Sequence, residues 1–255
     1  MTVDLIHRLI GLVALVFVLA RLSAWISIHL QGLAFLLTRS QNLARFFIFL
    51  VLAPGVFVHE LSHWLMAKLL GVPVGNFRVW PKRTRGGNIQ MGAVEVRGAG
   101  PVSLAFIGIA PFLVGTLALI LLGGWLQTHP ENLADWRTWF SNQGWDTIQT
   151  FFHQNAWPWR FYAIWLISNS MMPSPSDRDP LYPLLGGFFI LIVMAYFAGL
   201  TPNILGVLYS PLLTLFDMLA GAFLLAVIGN AVVASFLLLL ERTMSFLLGV
   251  HVEYN

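Results

Sequence analysis

The sequence predicts an all-α polytopic membrane protein with about six transmembrane helices and a small β-hairpin inserted after the second. Of its 255 residues, 58% are hydrophobic and 10% are charged, whereas soluble domains carry about 25% charged residues. Ten Trp and twenty Phe suit a protein whose aromatic rings lie at membrane interfaces. The net charge of +3 comes from a small set of charges. We therefore expect the lipid bilayer as a partner and no nucleic acid.

The hydropathy pattern divides the chain into apolar segments that are separated by short polar loops. The fourth and fifth segments are short, because prolines between them break the helix. The longest loops, residues 72–100 and 127–156, are below the usual size of a soluble domain. Residues 1–255 are therefore expected to form a single membrane-embedded domain. The predicted spans are residues 5–37, 44–70, 101–126, 157–172, 183–200 and 211–240.

The basic residues indicate how these spans are oriented. With the N-terminus in the cytoplasm, eight Lys and Arg residues fall on the cytoplasmic side and four on the other. Cytoplasmic loops carry the excess of basic residues in membrane proteins. We expect a multi-pass protein with both termini in the cytoplasm. The eight are Arg8, Arg78, Lys82, Arg83, Arg85, Arg97, Arg178 and Arg242; the four are Arg39, Arg45, Arg137 and Arg160.

A His-Glu-Leu-Ser-His run, from His59 to His63, lies inside the second span. Residues four apart share a face of a helix, so the two imidazoles can hold one Zn²⁺. Glu60 is then placed to act as general base on the attacking water. Ionisable residues at membrane depth are costly and are functional by default. The motif predicts a metallohydrolase; two unrelated membrane histidines are the alternative.

A catalytic zinc takes three protein ligands, so the two histidines need a partner. The chain has no Cys, and Asp177 and Asp217 are the main candidates. We place Asp217 near the outer end of the sixth span and Asp177 after the fourth span, on the inner side with the motif. The polar, proline-broken run from Asn169 to Asp177 fits a wet cavity at membrane depth. An ordinary Pro/Ser/Asp loop explains the same run equally well.

Residues 74–80 and 89–96 are rich in β-branched and aromatic side chains and are predicted to form two strands around the basic turn 82–87. Such a hairpin beside a protease site could hold an unwound substrate as an added strand. Binding of the basic turn to anionic lipid headgroups is the alternative. Asn230, in the sixth span, is expected to bridge helices.

The run from Phe57 to His63, followed by Ala67 and Gly71, resembles the zinc-motif helix of the site-2 protease family of intramembrane zinc metalloproteases. The segment from Asn169 to Asp177 is similar to the second motif of that family. Arg178, rather than Gly, follows the aspartate, which suggests a divergent member.

The resemblance implies that His59, His63 and Asp177 are zinc ligands. It also implies that Glu60 is the general base and that Asn169 contacts the scissile peptide.

We therefore expect a zinc-dependent intramembrane endopeptidase that cleaves a membrane-anchored protein substrate. A membrane zinc hydrolase acting on a lipid or a small amide is the nearest alternative enzyme. A metal transporter or a catalytically silent membrane chaperone is the alternative from another class. Glu60 argues against these last two, since transport needs ligands but no general base.

Overall fold

The structure, a computed structural model, describes residues 2–80, 82–83, 89–90, 92–123, 146, 149, 153, 156–199 and 201–250. Seven helices and four short strands make up its regular elements in this part of the chain. The helices are α1 (Thr2–Thr38), α2 (Gln41–Leu69), α3 (Pro101–Leu122), α4 (Trp157–Ser170), α5 (Pro175–Arg178), α6 (Leu181–Phe197) and α7 (Thr201–Leu248). The strands are β1 (Val74–Arg78), β2 (Lys82–Arg83), β3 (Ile89–Gln90) and β4 (Ala93–Val96).

Five of the helical segments are long and apolar enough to cross a membrane: α1, α2, α3, α5 with α6, and α7. The mostly helical architecture, with several helices suited to a membrane, is thus confirmed, but the expected count of six spans is not. The predicted fourth span is α4, which has 14 residues. At about 1.5 Å per residue, such a helix is about 21 Å long, shorter than the hydrocarbon core of about 30 Å. The candidate made of α5 and α6 has no buried residue in either helix.

Helices α1 and α7 run parallel. Arg8, near the start of α1, forms an ion pair with Asp217, in the first half of α7. Further along both, His29 Nδ1 lies 2.6 Å from Glu241 Oε2. The sequence-based placement of Arg8 and Asp217 on opposite sides of the membrane is therefore wrong. The six-span count, which gives the first and last helices opposite directions, is the source of this error.

The predicted hairpin follows α2. Strands β1 and β4 pair antiparallel, with Val74 opposite Val96 and Phe77 opposite Val94. Beyond them, β2 pairs antiparallel with β3. Within the predicted turn, residues 84–87 lie outside the described residues. The hairpin therefore returns the chain to the end of α2, where α3 begins.

The end of α2 is sharply defined. Gly71 adopts a positive φ of 68°, the left-handed conformation that glycine adopts without steric cost. Val72 N–H donates to Ala67 O at 2.9 Å, and Gly71 N–H donates to Lys68 O at 3.1 Å. These paired bonds form a Schellman motif, which satisfies the last carbonyls of the helix. Gly71 therefore ends the helix.

The centre of the bundle is an apolar cluster that joins four helices. Leu19 of α1, Leu119 of α3, Ile164 of α4 and Phe223 of α7 are its largest buried members from each helix. A smaller cluster of Ala67, Val72 and Ile107 joins the end of α2 to the start of α3. These two clusters hold α2, α3 and α4 around the histidine motif.

Candidate metal centre

His59 and His63 lie one turn apart on α2, so the helix itself directs both rings to one side. Their Nε2 atoms are 3.2 Å apart. Asp177, on α5, approaches from the opposite side, with Oδ2 3.6 Å from His59 Nε2 and Oδ1 3.5 Å from His63 Nε2. Among the described residues, the side chains of His59, His63 and Asp177 form a group of possible metal ligands. The expected proximity of Asp177 to both rings is confirmed.

The two imidazole nitrogens are spaced as ligands of one tetrahedral metal ion. Bonds of about 2.0 to 2.2 Å to zinc place two ligand atoms about 3.3 to 3.6 Å apart at tetrahedral angles. The two Nε2 atoms are 3.2 Å apart, and each lies 3.5 to 3.6 Å from a different oxygen of the Asp177 carboxylate. One ligand atom from each of the three residues lies within 4.8 Å of the others. Two imidazoles and one carboxylate are also a donor set that zinc accepts, with a fourth position left for water. The residues present therefore fit a catalytic zinc.

Each of the three side chains is held by a backbone group. His59 Nδ1 lies 2.6 Å from Ser170 O, at the end of α4, and His63 Nδ1 lies 2.7 Å from Ile107 O in α3. A carbonyl can only accept, so each Nδ1 carries the proton and each Nε2 presents its lone pair to the centre. Metal-ligating histidines usually have an outer partner of this kind.

Asp177 is held by the turn in which it lies. Ser174 is the N-cap of α5, and its backbone N–H donates to Asp177 Oδ2 at 2.8 Å. Pro175 occupies the first turn, where a missing N–H costs nothing. The pattern Ser-x-x-Asp after a proline is a helix-start signal that could have located this turn from the sequence.

Glu60 lies beside the triad, with its side chain largely buried, 8% exposed for the residue as a whole. Gly92, which precedes β4, lies against it: a Cβ at this position would overlap the Glu60 carboxylate. The hairpin therefore comes into direct contact with the predicted general base. Sequence reasoning missed Gly92, because nothing distinguishes it from an ordinary strand-end glycine.

A cavity of about 590 Å³ opens onto these groups. Its polar lining comes from the triad, Glu60 and three serines, and its apolar lining includes Val94 and Val96 of β4. This volume lies within the range of about 300 to 1,000 Å³ that is usual for ligand sites. The lining serines are Ser170, Ser174 and Ser176.

The sequence predicts that Asn169 contacts the substrate, but in the structure its side chain bonds to other residues of the protein. Its Oδ1 accepts from Ser23 Oγ at 2.8 Å, and its Nδ2 donates to Asn230 Oδ1 at 2.7 Å. The side chain therefore faces α1 and α7. Its neighbour Ser170, rather than Asn169 itself, lines the cavity. The expectation that Asn230 bridges helices is confirmed by the same contact.

The other acidic candidate, Asp217, takes no part in this centre. It lies on α7 in an ion pair with Arg8. The sequence also does not predict two close contacts between helices at glycines. A Cβ at Gly108 of α3 would overlap Asp177 O, and a Cβ at Gly55 of α2 would lie 2.9 Å from Ser170 Oγ. Both glycines allow the helices that carry the site to approach closely.

Comparisons of this chain with protein-family models, with curated proteins and with solved structures found no match.

Proposed function

We propose that this chain is a zinc-dependent intramembrane endopeptidase that hydrolyses a peptide bond of a membrane-anchored protein substrate within or at the edge of the bilayer. One observation carries the proposal. The Nε2 atoms of His59 and His63 converge with the carboxylate of Asp177, and one ligand atom from each residue lies within 4.8 Å of the others. They do so beside the buried carboxylate of Glu60, in one cavity.

Zinc bound there would polarise the scissile carbonyl and acidify the attacking water. Glu60 accepts a proton from this water while its oxygen bonds to the carbonyl carbon. Glu60 then passes the proton to the peptide nitrogen as the C–N bond breaks, which releases an amine and a carboxylic acid. Ligand binding alone needs no such group, and Glu60 therefore favours hydrolysis over metal transport or a silent scaffold.

The hairpin supports a protein substrate. A helical peptide hides its amide bonds, so the substrate must be extended before attack. Val94 and Val96 line the cavity, which places the backbone of β4 beside the metal centre. An extended substrate added alongside β4 would present one amide bond after another to the site.

The proposed topology has five crossings. The loop between α2 and α3 carries five basic residues, and we place it and the N-terminus in the cytoplasm. Because α1 and α7 are parallel and both cross, they begin on the same side and end on the other. The C-terminus would then face away from the cytoplasm, and one of the two short segments, α4 or α5 with α6, would not cross.

The test is cleavage of a co-expressed single-span substrate by the wild type and by Glu60→Gln at matched zinc content. The amide is nearly isosteric with the carboxylate but cannot accept the proton, and loss of a positioned general base costs about 10² to 10⁴ in rate. Asp4→Asn is the control, because Asp4 is exposed on α1 beside Arg8, outside the cavity that holds Glu60. Equal cleavage by the wild type and Glu60→Gln would contradict the proposed mechanism.

A further inference from the structure

A chain of polar side chains crosses the interior of the bundle and links α1, α4 and α7. Ser23 of α1 donates to Asn169 of α4, which in turn donates to Asn230 of α7. Asn230 and Ser168 are completely buried, and Ser23 is 5% exposed. Polar groups at this depth are costly unless they are paired.

The two amides leave none of their N–H groups unpaired. Asn169 Nδ2 donates to Trp165 O at 2.7 Å and to Asn230 Oδ1 at 2.7 Å. Asn230 Nδ2 donates to Ser168 Oγ at 2.8 Å and to Ala226 O at 2.8 Å. Because each N–H has one partner, any movement of α4 relative to α7 would break a hydrogen bond in an apolar interior. The network therefore holds the last turn of α4 in one position.

That turn provides the outer partner of a predicted zinc ligand. Ser170 ends α4, and its carbonyl belongs to the last four of the helix, which have no partner within it. His59 Nδ1 lies 2.6 Å from this carbonyl oxygen. The orientation of the His59 ring thus depends on the direction of a carbonyl at a helix end. The contacts that hold the last turn of α4 in place set the direction of this carbonyl.

The turn is held from two sides. On one side, Ser168 and Asn169 bond to α7 and α1. On the other, Gly55 of α2 comes so close to Ser170 that an added Cβ would lie 2.9 Å from its Cβ and Oγ. Gly55 precedes His59 by one helical turn, so the same contact brings the imidazole to the carbonyl.

We propose that Asn230 and Ser23 are positioning residues of the metal centre. They hold the last turn of α4 so that the Ser170 carbonyl keeps His59 in its Nδ1–H tautomer, with Nε2 directed at Asp177 and His63. This inference rests on the proposed function and adds to it a connection from α1 and α7, which contribute no ligand.

The experiment measures the zinc affinity of purified full-length protein by competition with a chromogenic chelator. Loss of an outer partner of a metal-ligating histidine costs 10- to 100-fold in affinity. Asn230→Ala and Ser23→Ala act one step further out, and we expect each to weaken binding about tenfold. Ser27→Ala is the control, since Ser27 Oγ donates to Ser23 O of its own helix at 3.0 Å. It should bind as the wild type does.

A second measurement separates positioning from general packing. The visible spectrum of cobalt-substituted protein reports the ligand geometry, and it should change in Asn230→Ala. It should stay unchanged in Phe223→Leu, which alters the buried cluster on the same helix. If Asn230→Ala does not fold, Ser23→Ala carries the test.

Unchanged affinity and spectrum in a folded network variant would overturn the inference and leave the proposed function standing. If His63→Ala also fails to weaken zinc binding, the metal lies elsewhere and both proposals are overturned.

Discussion

Replacing Gly108 with Ala should weaken metal binding through a backbone contact. A Cβ at this position would overlap Asp177 O, so the α5 turn must move away from α3. The overlapping atom belongs to the backbone, so a change of side-chain rotamer cannot relieve the overlap. Overpacking of this kind costs about 1 to 3 kcal/mol, which corresponds to about 5- to 150-fold in affinity. Because Asp177 moves with the turn, we expect most of this cost to appear as lost zinc affinity.

The assay is chelator competition in detergent, with thermal unfolding measured on the same samples. Gly11→Ala is the matched control, because Gly11 is also helical and has nothing within 4 Å of an added Cβ. It should bind zinc normally and gain about 0.5 to 1 kcal/mol of stability, as alanine does in a helix interior. If Gly108→Ala binds zinc as tightly as the wild type, either Asp177 is not a ligand or the α5 turn does not depend on this contact.

Three further predictions follow from the same geometry. Replacing any one of the three predicted ligands with Ala should lower the zinc content, measured by elemental analysis, to a small fraction of one ion per chain, whereas Asp217→Asn should leave it unchanged. Zinc loss in Asp217→Asn but not in Asp177→Ala would show that Asp217, and not Asp177, is the third ligand. Gly92→Ala should turn the Glu60 side chain away, and should lower kcat by up to about 10² with zinc content unchanged; loss of zinc instead would show that the hairpin supports the ligands. In this Cys-free chain, a membrane-impermeant reagent applied to intact cells should label Val250→Cys but not Lys82→Cys; equal labelling would contradict the five-crossing topology.

Local patterns in the sequence predict the parts of the site that lie on one element. The four-residue spacing of His59 and His63 places both rings on one face of α2, and the structure has them there. The helix stop at Gly71 is also a local signal, because the left-handed conformation is a property of the residue itself. The β-branched and aromatic residues on both sides of the basic turn likewise predict the hairpin.

Contacts between distant segments could not be predicted in this way. The carbonyls of Ser170 and Ile107, which hold the two imidazoles, belong to a backbone that every residue has. Gly55 and Gly108 matter because another helix approaches them, and hydropathy carries no information about neighbours. The same limit explains the error in topology. Apolar composition shows that a segment suits the membrane, but contacts with other helices, such as the ion pair of Arg8 with Asp217, show the direction in which the chain runs.

The central claim is that the triad holds zinc, and locating the metal in the purified protein tests it most directly. Anomalous scattering at the zinc edge should show one ion per chain. We expect it about 2.0 to 2.2 Å from the Nε2 atoms of His59 and His63 and from a carboxylate oxygen of Asp177. An ion at another position, such as His29 and Glu241, or none in a protein that still cleaves its substrate, would contradict the account.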